Sequence, residues 1–207
     1  MMSVAQFITF LATAGVFAFI PGPAMLYAAA QTMAGGRRSG LMASLGLHLG
    51  GYAHIAAAAF GLSVLLAGVP VLYMGVKLCG AIYLVWLGIS LFRSSSREGG
   101  AVELSPGSGS FLQSLTVEML NPKTAMFYLA FLPQFISPDA SVPVPLQFII
   151  LGTIVNLMFS AADLVAVMLA GLVMNRLRKS SSVQRWLQRI GGAVLVGLGV
   201  QLAVQRG

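Results

Sequence analysis

The sequence predicts an all-α membrane protein with six transmembrane helices, arranged as two inverted three-helix repeats in which helices 1 and 4 are broken. Three observations support this fold class. Of the 207 residues, 57% are hydrophobic and only 8% are charged, whereas an ordinary soluble domain is about 25% charged. Six apolar stretches are each long enough to cross a bilayer, which takes about 20 residues. Proline motifs interrupt the first and the fourth of these stretches.

The six predicted spans form one transmembrane domain. A chain of this size cannot hide so much apolar surface from water, so lipid is the expected solvent for its exterior. The spans are Val4–Ala34, Leu41–Ala67, Val71–Phe92, Phe111–Ile136, Leu146–Met174 and Trp186–Val204. The first repeat covers about residues 1–95, a Gly/Ser-rich linker about 96–110, and the second repeat about 111–207.

Lysine and arginine predict the orientation of the chain. They collect in the first, third and fifth connections between spans, and cytoplasmic loops carry the excess of positive residues. We therefore expect both termini outside, in a bacterial-type cytoplasmic (inner) membrane. The first span is expected to be a retained helix, because no Lys or Arg precedes Arg37 as a signal peptide would require.

Composition and motifs exclude several function classes. The net charge of +7 is spread over short connections and forms no basic surface for nucleic acid. Cys79 is the single cysteine, so neither a disulfide within the chain nor a CxxC pair is present. The chain contains no HExxH or GxSxG motif. We expect no metal site, no cofactor and no enzymatic activity.

The two helix breaks are the first candidate site. Proline removes a backbone donor and splits a helix, and the fresh helix start then presents free N–H groups with a partial positive charge. The breaks are Pro21-Gly22-Pro23 and Asn121-Pro122-Lys123, and similar residues follow each of them at 23–29 and 124–130. Because the halves are predicted to be inverted, the two starts would meet near the midplane and suit a substrate carboxylate. The alternative is a pair of packing kinks.

A polar stripe on the fifth span is the second candidate site. Asn156, Ser160 and Asp163 are spaced i, i+4, i+7 and share one helix face. An acidic group at mid-membrane costs roughly 2.5–3.5 kcal/mol on insertion scales and is a functional candidate for that reason. The alternative is a structural hydrogen-bond cluster between helices.

Further ionisable residues lie on the second and fourth spans. Glu118 precedes Asn121 by one turn, while His48 and His54 lie on the second span about 120° apart. Histidine titrates in the physiological range, so His48, His54, Glu118 and Asp163 are candidates for proton coupling. The Gly46–Gly50 pair permits close helix contact within one chain or between two chains, and a homodimer therefore stays an alternative.

These motifs, in this order and spacing, resemble the LysE/RhtB family of amino-acid exporters over nearly the whole chain. The matching segments are Pro21–Pro23, the basic 36–41 segment, the Gly46/Gly50/His54 pattern, 80–88, 121–123 with 131–135, Asp163 and Gly191-Gly192. The resemblance implies six helices in the inner membrane and export of amino acids driven by an ion gradient. Ile20, Ala24, His48 and Glu118 depart from the family pattern. The first two put a polar ligand at the first break in doubt, and the last two add ionisable groups.

The sequence therefore favours a secondary transporter that exports amino acids or close derivatives, with proton antiport. The helix starts would hold the substrate carboxylate, and Asp163 would alternately hold the substrate ammonium and a proton. The alternatives are a transporter of another small solute or cation, and a structural membrane protein without transport activity. The expected partners are a small-molecule substrate and the lipid bilayer.

Overall fold

A computed structural model describes residues 2–63 and 111–170 of the chain. It also describes isolated helical positions at 75, 78, 82, 85, 86, 89, 189, 193, 196, 197 and 200. These positions fall within the predicted third and sixth spans, most of whose residues lie outside the described part. The predicted linker at 96–110 lies outside it as well, as do Cys79, Gly191-Gly192 and most of the predicted 80–88 motif.

The described segments are mostly helical and contain no strand. Five α-helices are named here in chain order, and two of them continue in tighter or wider helical turns. They are α1 (Val4–Phe19), α2 (Pro23–Ala56, continued by the π-helical Ala57–Leu62), α3 (Phe111–Met119), α4 (Pro122–Met126, continued by the π-helical Phe127–Phe131 and the 3-10 turn Leu132–Phe135) and α5 (Val144–Met168).

Helix α1 has well-defined ends. A reciprocal capping box begins it, in which the Gln6 amide donates to Ser3 Oγ at 3.2 Å and the Ser3 amide donates to Gln6 Oε1 at 2.8 Å. These bonds satisfy backbone donors that a helix start leaves free. The helix ends where Ile20 turns extended, with φ −69° and ψ 117°, directly before Pro21. Proline favours this extended conformation in the residue before it.

Helix α2 folds back on itself at Gly36. Gly36 has φ 78° and ψ 178°, a backbone region that only glycine adopts without strain. Ala24, Ala28 and Leu47 belong to one buried cluster, although residues 24 and 47 of a straight helix would lie about 35 Å apart. Ser39 Oγ also reaches Gln31 Oε1 at 3.4 Å. The first leg (residues 23–35) therefore packs against the second leg (residues 37–56).

This hairpin accounts for the two predicted spans on either side of Arg37 and Arg38. Pro23–Leu62 has 40 residues, about 60 Å of helix and twice the hydrocarbon thickness of a bilayer if it were straight. Within the described residues, this segment and Val144–Met168 are long and apolar enough to cross a membrane. The sequence predicts a connection at 35–40 between the first two spans. In the structure this connection is reduced to one non-helical residue, because Gly36 reverses the chain without a longer loop.

Glycines on the second leg bring α3 and α5 into close contact with it. A Cβ on Gly46 would lie 2.7 Å from the Phe111 carbonyl oxygen, and one on Gly50 would lie 2.8 Å from that of Leu115. The absence of a side chain at Gly51 likewise lets the Asn156 side chain of α5 approach the α2 backbone closely. The Gly46–Gly50 face is thus occupied by α3 of the same chain, so it is not a free surface for a second copy.

Replacement of Gly36 by alanine tests the hairpin. A Cβ at Gly36 meets nothing within 4 Å, so backbone strain alone should lower the free energy of unfolding, by about 1–3 kcal/mol. Gly61→Ala is the matched control. A Cβ at Gly61 is equally unobstructed, but among the described glycines the positive φ occurs at Gly36. Thermal unfolding in detergent, followed by circular dichroism, measures both. Equal melting temperatures for the two variants would contradict the hairpin geometry.

Candidate functional site

The two helix breaks meet around one small cavity, called here the break cavity. Four elements line it: the end of α1, the start of α2, the α3–α4 junction and the middle of α5. The lining residues are Ala18, Gly22, Ala24, Met25, Glu118, Asn121, Lys123, Thr124, Phe159 and Asp163. Its free volume is about 20 Å³, which is room for about one water molecule. In this conformation the cavity is too small to hold an amino acid.

The first break presents backbone donors to the cavity. Gly22 precedes α2 and provides no side-chain cap, and Pro23 occupies the first helical position without an N–H. The Leu26 amide is bonded to the Gly22 carbonyl oxygen at 3.0 Å. The amides of Ala24 and Met25 precede that first helical bond and therefore have no carbonyl partner within the helix. Both residues line the cavity, so this helix start faces a space that suits an anion.

The second break is capped by its own asparagine. Asn121 is 2% exposed, and its Oδ1 accepts the Lys123 amide at 3.1 Å. Its Nδ2 donates to Glu118 Oε2 and to Thr124 Oγ1, both at 3.0 Å. The side chain thus fixes both sides of the break and orients the Glu118 carboxylate. One of the free donors at the start of α4 is consequently already used.

Lys123 joins the two breaks. Its ammonium donates to the carbonyl oxygen of Ile20, the residue that ends α1, at 2.5 Å. The same nitrogen lies 4.8 Å from the ring centroid of Phe17 and 5.5 Å from that of Phe159. The lysine stem passes Gly22 so closely that a Cβ there would lie 2.6 Å from its Cδ. A larger residue at 22 would therefore displace this lysine.

Two buried carboxylates share the cavity with this one ammonium. Glu118 is 5% exposed and Asp163 is 8% exposed, and the charges of Glu118 and Lys123 both act on Asp163. Within residues 2–63 and 111–170 no hydrogen bond engages the Asp163 carboxylate, in contrast to that of Glu118. Asp163 is thus the carboxylate of the cavity that has no hydrogen-bond partner within the described residues.

The predicted polar stripe of α5 divides between two environments. Asp163 lines the break cavity, but Asn156 and Ser160 do not. Asn156 Nδ2 donates to the His48 carbonyl oxygen at 3.0 Å, and Ser160 Oγ lies 2.6 Å from His48 Nδ1. These two residues hold α5 against the second leg of α2. They share a helix face with Asp163, but the break cavity reaches only the third member of the stripe.

The two histidines also lie apart. His54 Nε2 donates to the Glu118 carbonyl oxygen at 2.8 Å, and its ring stacks on Tyr128 with centroids 6.0 Å apart. His54 therefore adjoins the residue that carries the Glu118 carboxylate. His48 bonds Ser160 and contacts the edge of Tyr52, which places it outside the cavity.

Pro21, Pro23 and Pro122 shape the breaks without lining the cavity. Several further contributors were not predicted from the sequence, among them Thr124, Ile20 and Phe159. Thr124 lines the cavity and is 2% exposed, while the Ile20 carbonyl and the ring of Phe159 contact Lys123. Thr124 follows the Asn121-Pro122-Lys123 motif directly, which is a signal that could have found it. A backbone carbonyl or an aromatic ring gives no such signal.

Aromatic rings close the cavity on the side away from the Gly36 turn. Members of this set, called here the aromatic layer, pack at centroid distances of 4.4–6.2 Å. They are Phe7, Phe10, Phe17, Phe127, Phe131, Phe135 and Phe159. On the side towards Gly36 the buried residues are mostly small, with Ala24, Ala28, Ala162 and Ala166 among them. Among the described residues, the larger group of buried rings therefore lies beyond the breaks, on the side of the Val4 end of α1, while Tyr27 is buried on the Gly36 side.

Comparison with known proteins identifies the relatives of this chain. A family model described as LysE type translocator matches residues 15–206. A leucine efflux protein of Klebsiella pneumoniae is 30% identical over 97% of this chain and 95% of its own length. A leucine efflux protein of an Enterobacter species is 28% identical over 97% of this chain and 96% of its own length. An uncharacterized membrane protein of Vibrio cholerae is 28% identical over 99% of this chain and 100% of its own length. No solved structure matches the chain significantly.

Replacement of Asn121 tests the architecture of the second break. Asn121→Ala leaves Glu118 without its amide partner and removes a helix cap, so we expect a loss of roughly 2–4 kcal/mol in unfolding free energy. Thr116→Ala is the control, because this exposed hydroxyl bonds only the Leu112 carbonyl of its own helix. Denaturant unfolding in mixed micelles compares the two. If Asn121→Ala is as stable as Thr116→Ala, the asparagine does not hold the break together.

Proposed function

The chain belongs to the LysE type translocator family, and we propose that it exports amino acids from the cytoplasm in exchange for protons. Membership of this family makes it a membrane transporter of a small molecule and not an enzyme. The single observation that carries this proposal is the break cavity. It combines one ammonium, a helix start with free N–H groups and a carboxylate without a hydrogen-bond partner among the described residues.

A zwitterionic substrate matches that arrangement. The amides of Ala24 and Met25 suit the substrate carboxylate, because a helix start combines free donors with a partial positive charge. Asp163 suits the substrate ammonium. The second helix start contributes less than the sequence suggested, because Asn121 already occupies the Lys123 amide. We therefore assign the carboxylate to the first break.

An apolar amino acid is the substrate class that we favour. Two relatives are named leucine efflux proteins, and the remaining cavity walls carry Ala18, Met25 and Phe159. Apolar walls of this kind accept an aliphatic side chain. A close derivative that keeps the carboxylate and the ammonium would bind in the same way. A metal cation fits less well, since no group of three potential metal-ligating residues occurs among the described residues.

Charge balance supports proton coupling. Two carboxylates and one ammonium leave one negative charge in the empty cavity when all three are ionised, and an uncompensated buried charge is costly. A proton would neutralise the cavity before substrate binds. A substrate ammonium would then replace that proton on Asp163, while the partial positive charge at the start of α2 would compensate the substrate carboxylate. Inward movement of one proton yields about 2.3 kcal/mol per 100 mV of membrane potential, enough to support a concentration ratio of several tens. Glu118 is the nearest candidate for delivering that proton, with His54 behind it.

The remaining topology belongs to the same proposal. Six spans in two inverted repeats would place the two breaks at equivalent positions, and each break is followed by a helix with proline at its start. The exposed Arg37 and Arg38 at the Gly36 turn would face the cytoplasm of a bacterial inner membrane, with both termini outside. The aromatic layer would then lie on the outer side, so this conformation is closed to the outside.

Transport by reconstituted protein tests the proposal. Proteoliposomes with radiolabelled leucine at the same concentration and specific activity inside and outside should show net release of leucine when the medium is acidified, and Asp163→Asn should abolish this net release. Leucine exchange at equal pH should persist in that variant at lower apparent affinity, because exchange requires no proton site but the substrate ammonium loses its charged partner. Asp139→Asn is the matched control, since Asp139 is exposed in the connection before α5. If Asp163→Asn keeps the pH-driven release of the parent, Asp163 is not the coupling residue. If the parent moves no amino acid, the substrate class is wrong.

A further inference from the structure

We propose that Lys123 is a latch that keeps the aromatic layer closed, and that a substrate carboxylate opens the latch by replacing the Ile20 carbonyl as the partner of its ammonium. This inference rests on the proposed transport of amino acids. It assigns Lys123 a direct contact with the substrate carboxylate and makes that carboxylate a requirement for opening as well as for binding.

The closed latch has two halves that meet at one nitrogen. The first is the hydrogen bond from Lys123 Nζ to the Ile20 carbonyl oxygen at 2.5 Å. The last carbonyls of a helix lack intrahelical donors and carry a partial negative charge, so the ammonium satisfies the end of α1. The second is the position of the same nitrogen over the rings of Phe17 and Phe159, which attract a cation through their π faces.

These contacts connect the latch to the aromatic layer. Phe17 and Phe159 both pack on Phe127, with ring centroids 4.6 and 5.2 Å apart. Phe127 in turn packs on Phe131 at 4.4 Å. The cation therefore holds rings from α1 and α5 against the π-helical turn that follows α4. Withdrawal of the ammonium removes one attraction that is common to all three elements.

The competing partner would arrive through the break cavity. Lys123 lines that cavity, and its stem is confined by close contact with Gly22, so the ammonium can turn either to Ile20 or into the cavity. A carboxylate is a stronger acceptor of an ammonium hydrogen bond than a neutral carbonyl is. A substrate carboxylate at the start of α2 would therefore draw the ammonium away from Ile20. An amine or an amide without a carboxylate has no such effect.

The accessibility of one buried position reports the state of the latch. Ala14 lies between Phe10 and Phe17 on α1 and is 0% exposed. We place a cysteine there in a chain in which Cys79 is replaced by serine. Labelling with a membrane-impermeant maleimide is then measured in right-side-out vesicles. Ser141→Cys, in the exposed connection before α5, reports the sidedness and should label equally in all variants.

Loss of the latch should expose the Ala14→Cys position without substrate. Lys123→Met removes a charged hydrogen bond, and we expect labelling to accelerate about tenfold or more. Arg38→Met removes a cation of equal sign at the exposed Gly36 turn and should label like the parent. Unchanged labelling in folded Lys123→Met overturns the latch. If this variant labels fast while the parent transports no amino acid, the latch stands and the proposed substrate class falls.

A ligand comparison in the unaltered lysine background covers the case in which Lys123→Met does not fold. Saturating leucine inside the vesicles should accelerate labelling of Ala14→Cys several-fold, and internal leucinamide, which lacks the carboxylate, should not. Equal acceleration by leucine and leucinamide overturns the carboxylate trigger. So does normal leucine transport with no change in labelling.

Discussion

A helix broken inside a membrane leaves backbone groups that the surrounding lipid cannot satisfy, and this constraint organises the structure around the two breaks. Each such group costs several kcal/mol in hydrocarbon unless protein supplies a partner. The Ile20 carbonyl at the first break is satisfied by the Lys123 ammonium, and the Lys123 amide at the second break is satisfied by Asn121. The breaks therefore depend on each other, because a side chain of the second completes the backbone of the first.

The same constraint gives the cavity its chemistry. The amides of Ala24 and Met25 precede the first bond of their helix and receive no side-chain cap, so they are the donors that a ligand can still engage. Asp163 faces the same space without a hydrogen bond among the described residues. A ligand with one carboxylate and one ammonium would supply the missing partners at both places, which is why we propose an amino acid as the substrate rather than a simple cation or anion.

Much of this organisation could be predicted from the sequence, because proline breaks and a mid-membrane carboxylate are local signals. They placed Gly22, Asn121, Lys123 and Asp163 in one site, and the structure brings these four residues together around the cavity. The turn at Gly36 was expected as a longer connection, since composition does not reveal that one glycine with positive φ reverses the chain. The helical period placed Asn156 and Ser160 on the same face as Asp163, but it contains no information about neighbouring helices. In the structure both residues form hydrogen bonds with His48 and do not line the cavity. The contact between Lys123 and Ile20 spans 103 positions, so no local pattern could indicate it.

Protection of the cavity by substrate tests the central claim that the meeting of the two breaks forms the transport site. Thr124 lines the cavity and lies one residue beyond the break, so a cysteine at this position in the Cys79→Ser chain should react with a small thiosulfonate reagent. The reagent reaches this buried position when the cavity opens during the transport cycle. We expect leucine to slow the reaction, with half-maximal protection at the concentration that half-saturates transport. A cysteine at Ser141 should react at the same rate with and without leucine. Full reactivity of the cysteine at 124 under saturating leucine, in a variant that still transports leucine, would show that the substrate passes elsewhere.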